Sequence, residues 1–193
     1  MKKIIFSLAL LTLAPLAQAH TVMYYADLSG PAEAPPNASP GTGTALVTLD
    51  LDWVYMKVDV TFSGLQGTVT ASHIHGPTAV AGTGTAGVMT MTPTFLGFPL
   101  GVTSGTYSQT FDLTLASSYN AAFIAANGGT VATALNAQIA AMDAGKTYLN
   151  IHTTSFAGGE IRGFLTPVPE PGTAALGLVG GAVLMRRRRT ASV

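Results

Sequence analysis

Cysteine is absent from the 193 residues, which excludes disulfides, thiolate metal sites and a cysteine nucleophile. Charge is nearly as scarce, at 9% of residues, while glycine is abundant. That composition suits short strands and tight turns better than long surface helices. The formal net charge of zero hides an asymmetry, because Lys2, Lys3 and the four arginines from 186 to 189 sit at the two ends. Between His20 and Thr166, Lys57, Lys146 and Arg162 face six aspartates plus Glu33 and Glu160, so the balance is 3 − 8 = −5. An acidic middle opposes nucleic-acid binding, which needs clustered cations to displace phosphate counterions. The chain lacks Gly-x-Ser-x-Gly, a phosphate-cradling loop and His-Glu-x-x-His; the run GTGTAG at 82–87 does not have the strand-to-helix setting of a dinucleotide site. No repeat of solenoid length is visible.

The ends read as addresses. Residues 1–19 combine Lys2 and Lys3, an apolar run from Ile4 to Ala14, and the small-residue pattern Ala17-Gln18-Ala19, the layout of a secretory signal peptide cleaved after Ala19. Residues 167–193 carry Val-Pro-Glu-Pro at 168–171, an uncharged stretch over 172–185, and Arg186, Arg187, Arg188 and Arg189. In that order, these features resemble a PEP-CTERM sorting signal. The resemblance implies that Pro169, Glu170 and Pro171 are read by an exosortase-like protease while the apolar helix holds the exported chain in the inner membrane. Four arginines beside an apolar stretch resist export, which orients them inward. Fourteen residues at about 1.5 Å each span roughly 21 Å, short of a hydrocarbon core of about 30 Å. A marginal, transient anchor is expected, and a permanent C-terminal anchor is the alternative.

The domain between, residues 20–166, alternates apolar and polar residues in runs separated by Gly, Pro, Ser and Asn, the mark of half-buried antiparallel strands. The pattern predicts strands over 22–29, 44–51, 54–62, 69–75, 87–92, 105–113, 148–153 and 160–165, an all-β sandwich. Val131, Leu135, Ile139 and Met142 instead follow helical spacing, with Gly145 placed as a C-terminal cap. A helical insertion before the last two strands is expected, with a shorter helix over 118–126 ahead of it.

His73 and His75 flank Ile74 in TASHIHGPTA. Residues i and i+2 of a strand share a face, so the two imidazoles point together and Ile74 points to the core. The same parity in TYLNIHT puts Tyr148, Asn150 and His152 opposite Leu149 and Ile151. In GGEIRGFL it sets Glu160 and Arg162 opposite Ile161 and Leu165. If the last two strands form a hairpin, His152 lies across from Glu160 and Asn150 from Arg162, and all these polar groups form one surface patch. His-x-His with a third histidine from a neighbouring strand can ligate Zn or Cu at about 2.0–2.1 Å. His152 is the third candidate, and Glu160 a fourth ligand or an acceptor that fixes a tautomer. In the competing reading the imidazoles hydrogen-bond to backbone at the strand end, and Glu160 pairs with Arg162. His20 would become the N-terminus after cleavage; Asp50, Asp52 and Asp59 read as solvated, and Trp53 and Tyr55 as packing residues.

The blocks SGPAEAPP, SHIHGP, YLNIHT and GGEIRGFL, in this order, resemble the CHRD domain first named in chordin, over about Tyr24 to Leu165. Ala34 stands where that family often has a larger aliphatic residue. The resemblance implies an extracellular, immunoglobulin-like β-sandwich or barrel and no known reaction. The combined expectation is an exported, non-enzymatic module of the cell surface or extracellular matrix of a Gram-negative bacterium. Its partners would be extracellular polysaccharide or surface proteins, with signal peptidase and an exosortase-like protease as transient ones. A Zn- or Cu-binding protein or metal-dependent oxidoreductase is the alternative.

Overall fold

The structure, a computed structural model, describes residues 20–169. Ala17, Ala19, Glu170, Pro171, the apolar run 172–185 and Arg186 to Arg189 lie outside the described residues. Among the described residues no helix is long and apolar enough to cross a membrane.

The alternating runs form the expected antiparallel ladders. Strands β1 (Thr21–Ser29), β2 (Thr42–Asp50) and β3 (Tyr55–Ser63) pair in unbroken register, from Thr21 opposite Asp50 to Thr42 opposite Ser63. Every second residue of this meander is buried: Tyr24, Ala26 and Leu28, then Ala45, Val47 and Leu49, then Met56, Val58, Val60 and Phe62. Each Val, Leu, Met or Phe side chain among them contributes about 1.5–3 kcal/mol by leaving water. The β2–β3 turn is set by Asp50, whose carboxylate accepts the Asp52 and Trp53 N–H groups at 3.0 and 2.9 Å. Trp53 at its tip is 73% exposed, so the packing expected of Trp53 does not occur. Asp59 pairs with Lys57 on the surface.

Strands β4 (Val69–His75), β5 (Gly105–Asp112), β6 (Tyr148–Thr153), β7 (Ile161–Phe164) and β8 (Thr166–Val168) complete one curled sheet of order β4-β6-β7-β1-β2-β3-β5, with β8 also paired to β1. The all-β expectation holds, as one continuous sheet folded over a shared core. The expected last strand over 160–165 is two pieces: β7 meets β1 at Ser29, and β8 meets it at Met23 to Tyr25. Gly163 permits that approach, since a Cβ there would collide with the Asp27 carbonyl oxygen. The strand expected over 87–92 does not form. The segment lies along the free edge of β4 with single bridges, His75 to Val88 and Thr90 to Tyr119. Its continuation contains Pro93 and Pro99, which cannot donate to a ladder, so regular pairing cannot propagate.

The helical insertion is α1 (Ala121–Ala126) and α2 (Val131–Asp143), ahead of three strands rather than two. Thr130 caps α2 by accepting the Thr133 N–H, and the Thr133 side chain returns the contact. At the other end Gly145, at φ +64°, closes a Schellman motif: its N–H reaches Met142 O and the Lys146 N–H reaches Ala141 O. The buried line runs through Ala134, Gln138, Ala141 and Met142, with Val131, Leu135 and Ile139 half-buried beside it.

A candidate metal centre of three histidines

Across β4, β6 and β7 the register sets His73 opposite Asn150 opposite Arg162, and His75 opposite Tyr148 opposite Phe164; Ala71 faces His152. This row is not a solvent-facing patch. His73, His75, Tyr148, Asn150 and Arg162 are all buried, and His152 is partly so. Burial on both faces follows from loops that lie over this part of the sheet. The carbonyls of Ala32, Gly84, Ala86, Pro93 and Ala157 all reach down to these side chains. Strand parity shows which residues share a face, but a covering loop is a tertiary event.

The three imidazoles converge, with ring centroids 5.5 Å apart for His73 and His75, 5.2 Å for His73 and His152, and 5.7 Å for His75 and His152. One ring nitrogen from each lies within 4.8 Å of the others. The centre of an equilateral triangle of that side is about 2.8 Å from its corners, so closure of less than 1 Å per ring reaches the bond length of about 2.0–2.1 Å.

Each ring spends one nitrogen on a backbone carbonyl: His73 Nε2 on Pro93, His75 Nδ1 on Ala86 at 3.0 Å, and His152 Nδ1 on Ala157 at 2.9 Å. A carbonyl only accepts, so that nitrogen carries the proton and the other keeps a lone pair. The remaining nitrogens, His73 Nδ1, His75 Nε2 and His152 Nε2, are buried without any hydrogen-bond partner. Three orphaned acceptors in one place cannot satisfy one another. Burial lowers the pKa of all three rings, that of His75 to about 4, against the opposing pull of the carbonyls. The rings are therefore neutral at pH 7, with lone pairs free. A carbonyl on the far nitrogen is also how metal-ligating histidines are oriented. Backbone hydrogen bonding and metal ligation are thus not rivals here: each ring does the first with one nitrogen and has the second available at the other.

Glu160 is not part of this centre. It is fully buried on the other side of β7's start, with Oε1 accepting from Ser39 Oγ (2.6 Å) and Gln66 N (2.5 Å), and Oε2 from Gly67 N (3.0 Å) and Thr153 Oγ1 (2.6 Å). The expected place opposite His152 is lost because the β6–β7 ladder ends at Ile151 and Ile161. There Gly159, at φ +132°, redirects the chain. Glu160 does not pair with Arg162 either. The Arg162 guanidinium donates to the Ala32 and Gly84 carbonyls and lies 3.8 Å from Glu33. It stacks 4.7 Å from the Tyr148 ring centre, and Tyr148 stacks on His75 at 4.9 Å. Arg162 therefore borders the histidines through Tyr148. Asn150 turns its amide toward Gly159 and Glu33, with Oδ1 unpartnered. His20 lies at the far end of β1 from Ser29, beside Asp52, and takes no part.

Glu33 is the residue that sequence reasoning passed over: burial raises its pKa to about 7 against the pull of Arg162. Its only signal was membership of the SGPAEAPP block.

No curated protein and no solved structure matches this chain. The CHRD domain family matches residues 24–165, a span that contains the whole sheet from Tyr24 to β7, the loops that cover it and all three clustered histidines. The chain belongs to the CHRD domain family.

Proposed function

We propose that this chain is an exported CHRD-domain protein whose folded unit binds one Zn or Cu ion through His73, His75 and His152. The observation that carries the reading is the set of three buried, unpartnered ring nitrogens on neutral imidazoles, each held by a carbonyl at its other nitrogen. The role is binding rather than turnover: Glu160 has both oxygens committed to four donors and Glu33 lies against Arg162, so neither carboxylate is placed to move protons at the ion. Protein purified from the periplasm without an affinity tag is expected to carry close to one equivalent of Zn or Cu per chain, measured by elemental analysis. Metal-free protein that takes up neither ion on dialysis overturns the reading.

The site of action in this proposal is the cell surface or extracellular matrix of a Gram-negative bacterium, where polysaccharide or surface proteins would be the partners. Support comes from the signal-peptide pattern of residues 1–19 and from the likeness of residues 167–193 to a PEP-CTERM signal. Replacing Pro169-Glu170-Pro171 by alanines is expected to leave export intact and to retain a longer, membrane-bound form, because the N-terminal signal acts independently of the tail. Equal mature masses for the variant and the parent, read by mass spectrometry, contradict processing at this motif. A full-length membrane form in both favours the permanent anchor.

A further inference from the structure

We infer that the ion held by His73, His75 and His152 completes its coordination with an anion from outside the chain, a carboxylate or a comparable small anion. This rests on the metal-binding reading and goes one step past it. Zn and Cu sites of this kind take four ligands, and the cluster supplies three, all of them neutral. A divalent ion bound only to neutral imidazoles keeps its full charge. Holding an uncompensated charge away from water is strongly unfavourable unless an opposite charge is brought to it.

The described part of the chain does not bring one. Glu160 is spent on Ser39, Gln66, Gly67 and Thr153. Glu33 faces Arg162, and its free oxygen lies against Gly159, in a cleft lined by Pro35, Pro36 and Phe156. Neither belongs to the group of ligand atoms within 4.8 Å. The Arg162 guanidinium lies behind Tyr148, which itself stacks on His75, and a cation there favours an anion at the ion further.

Access is one-sided. His73 and His75 are 7% and 8% exposed, whereas His152 is only partly buried, so the His152 side is the more open approach to the cluster. A ligand arriving there meets an ion whose other three positions are fixed by rings locked on backbone carbonyls.

Cobalt(II) tests this, because its visible absorption reports coordination number and ligand type. The full folded protein is loaded with Co(II) and titrated with azide, and separately with acetate, against a non-coordinating salt at equal ionic strength. A saturable change in the cobalt bands with azide or acetate, absent with the control salt, supports the inference. A response to azide alone assigns the position to small inorganic anions, and a response to acetate extends it to carboxylates such as those of acidic polymers. Stoichiometric cobalt binding with no response to either anion overturns the inference while leaving the metal site standing. Failure of cobalt, zinc and copper alike to bind removes both.

Discussion

Saturating Zn(II) or Cu(II) is expected to raise the melting temperature of the wild-type protein by roughly 8–16 °C, and to leave His73→Ala unchanged. A ligand that binds only the folded state stabilises it by RT ln(1 + [L]/Kd), about 4 kcal/mol at a thousandfold excess over Kd. In a domain of about 150 residues each kcal/mol moves the midpoint by roughly 2–4 °C. The three ligands come from β4 and β6, which belong to one ladder, so an ion bridging them opposes separation of the sheet as a whole. His73→Ala removes one of three donors and leaves a two-coordinate remnant too weak to bind at that excess. The same comparison with His152→Ala controls for packing, because His152 is the least buried of the three. Its loss should abolish the metal effect with less change to the metal-free midpoint. If wild type melts identically with and without either metal, the cluster is only a set of strand-edge hydrogen bonds.

The second large effect belongs to Glu160. Its carboxylate ties four separate pieces of chain together: Ser39 before β2, Gln66 and Gly67 before β4, Thr153 at the end of β6, and its own position at the start of β7. Glu160→Ala strands two backbone N–H groups and two hydroxyls, with Ser39, Gly67 and Thr153 all buried. Each buried donor left without an acceptor costs about 1–3 kcal/mol, so the sum reaches a third or more of the stability of an ordinary domain. Glu160→Gln keeps the shape and part of the hydrogen bonding, and should lose less. The pH dependence separates charge from shape. Desolvation pushes the Glu160 pKa up, but the hydrogen bonds from Ser39, Thr153, Gln66 and Gly67 outweigh it and hold the pKa below the ordinary glutamate value. A depressed folded-state pKa means that the contribution is complete above the unfolded-state value and is lost as pH falls through the folded one. Urea unfolding should therefore show wild type losing stability on acidification below the ordinary glutamate range, with Glu160→Gln lacking that component. A variant as stable as wild type at neutral pH would refute the latch. Metal content of the folded Glu160→Gln protein should stay that of wild type, since none of the four contacts of Glu160 is a histidine.

These two residues show where sequence reading reached and where it stopped. The period-two alternation in β1, β2 and β3 names the buried residues directly, because one face of that meander meets the core and the other meets water. Gly145 and the apolar spacing of 131–142 place α2 and its end, because capping is local chemistry. Parity likewise puts His73 and His75 on one face, and a short loop to β7 aligns Asn150 with Arg162. Each of these follows from interactions a few residues apart.

What the tertiary structure decided was burial and partnership. Nothing in SHIHGP says that the face opposite Ile74 is covered; that depends on distant carbonyls at Ala32, Pro93 and Ala157 arriving over it. The covering strips water from the rings, selects their tautomers and leaves three lone pairs without donors, which turns a shared strand face into a candidate metal centre. Glu160 departs from strand parity because Gly159 turns the backbone just before β7, and its four donors come from segments up to 121 residues away in sequence. The run over 87–92 alternates like a strand, yet prolines beyond it cannot feed a ladder, so it stays an irregular cover on β4. Local pattern specified which side chains face together; long-range packing, by removing water and supplying hydrogen-bond partners, specified what they can do.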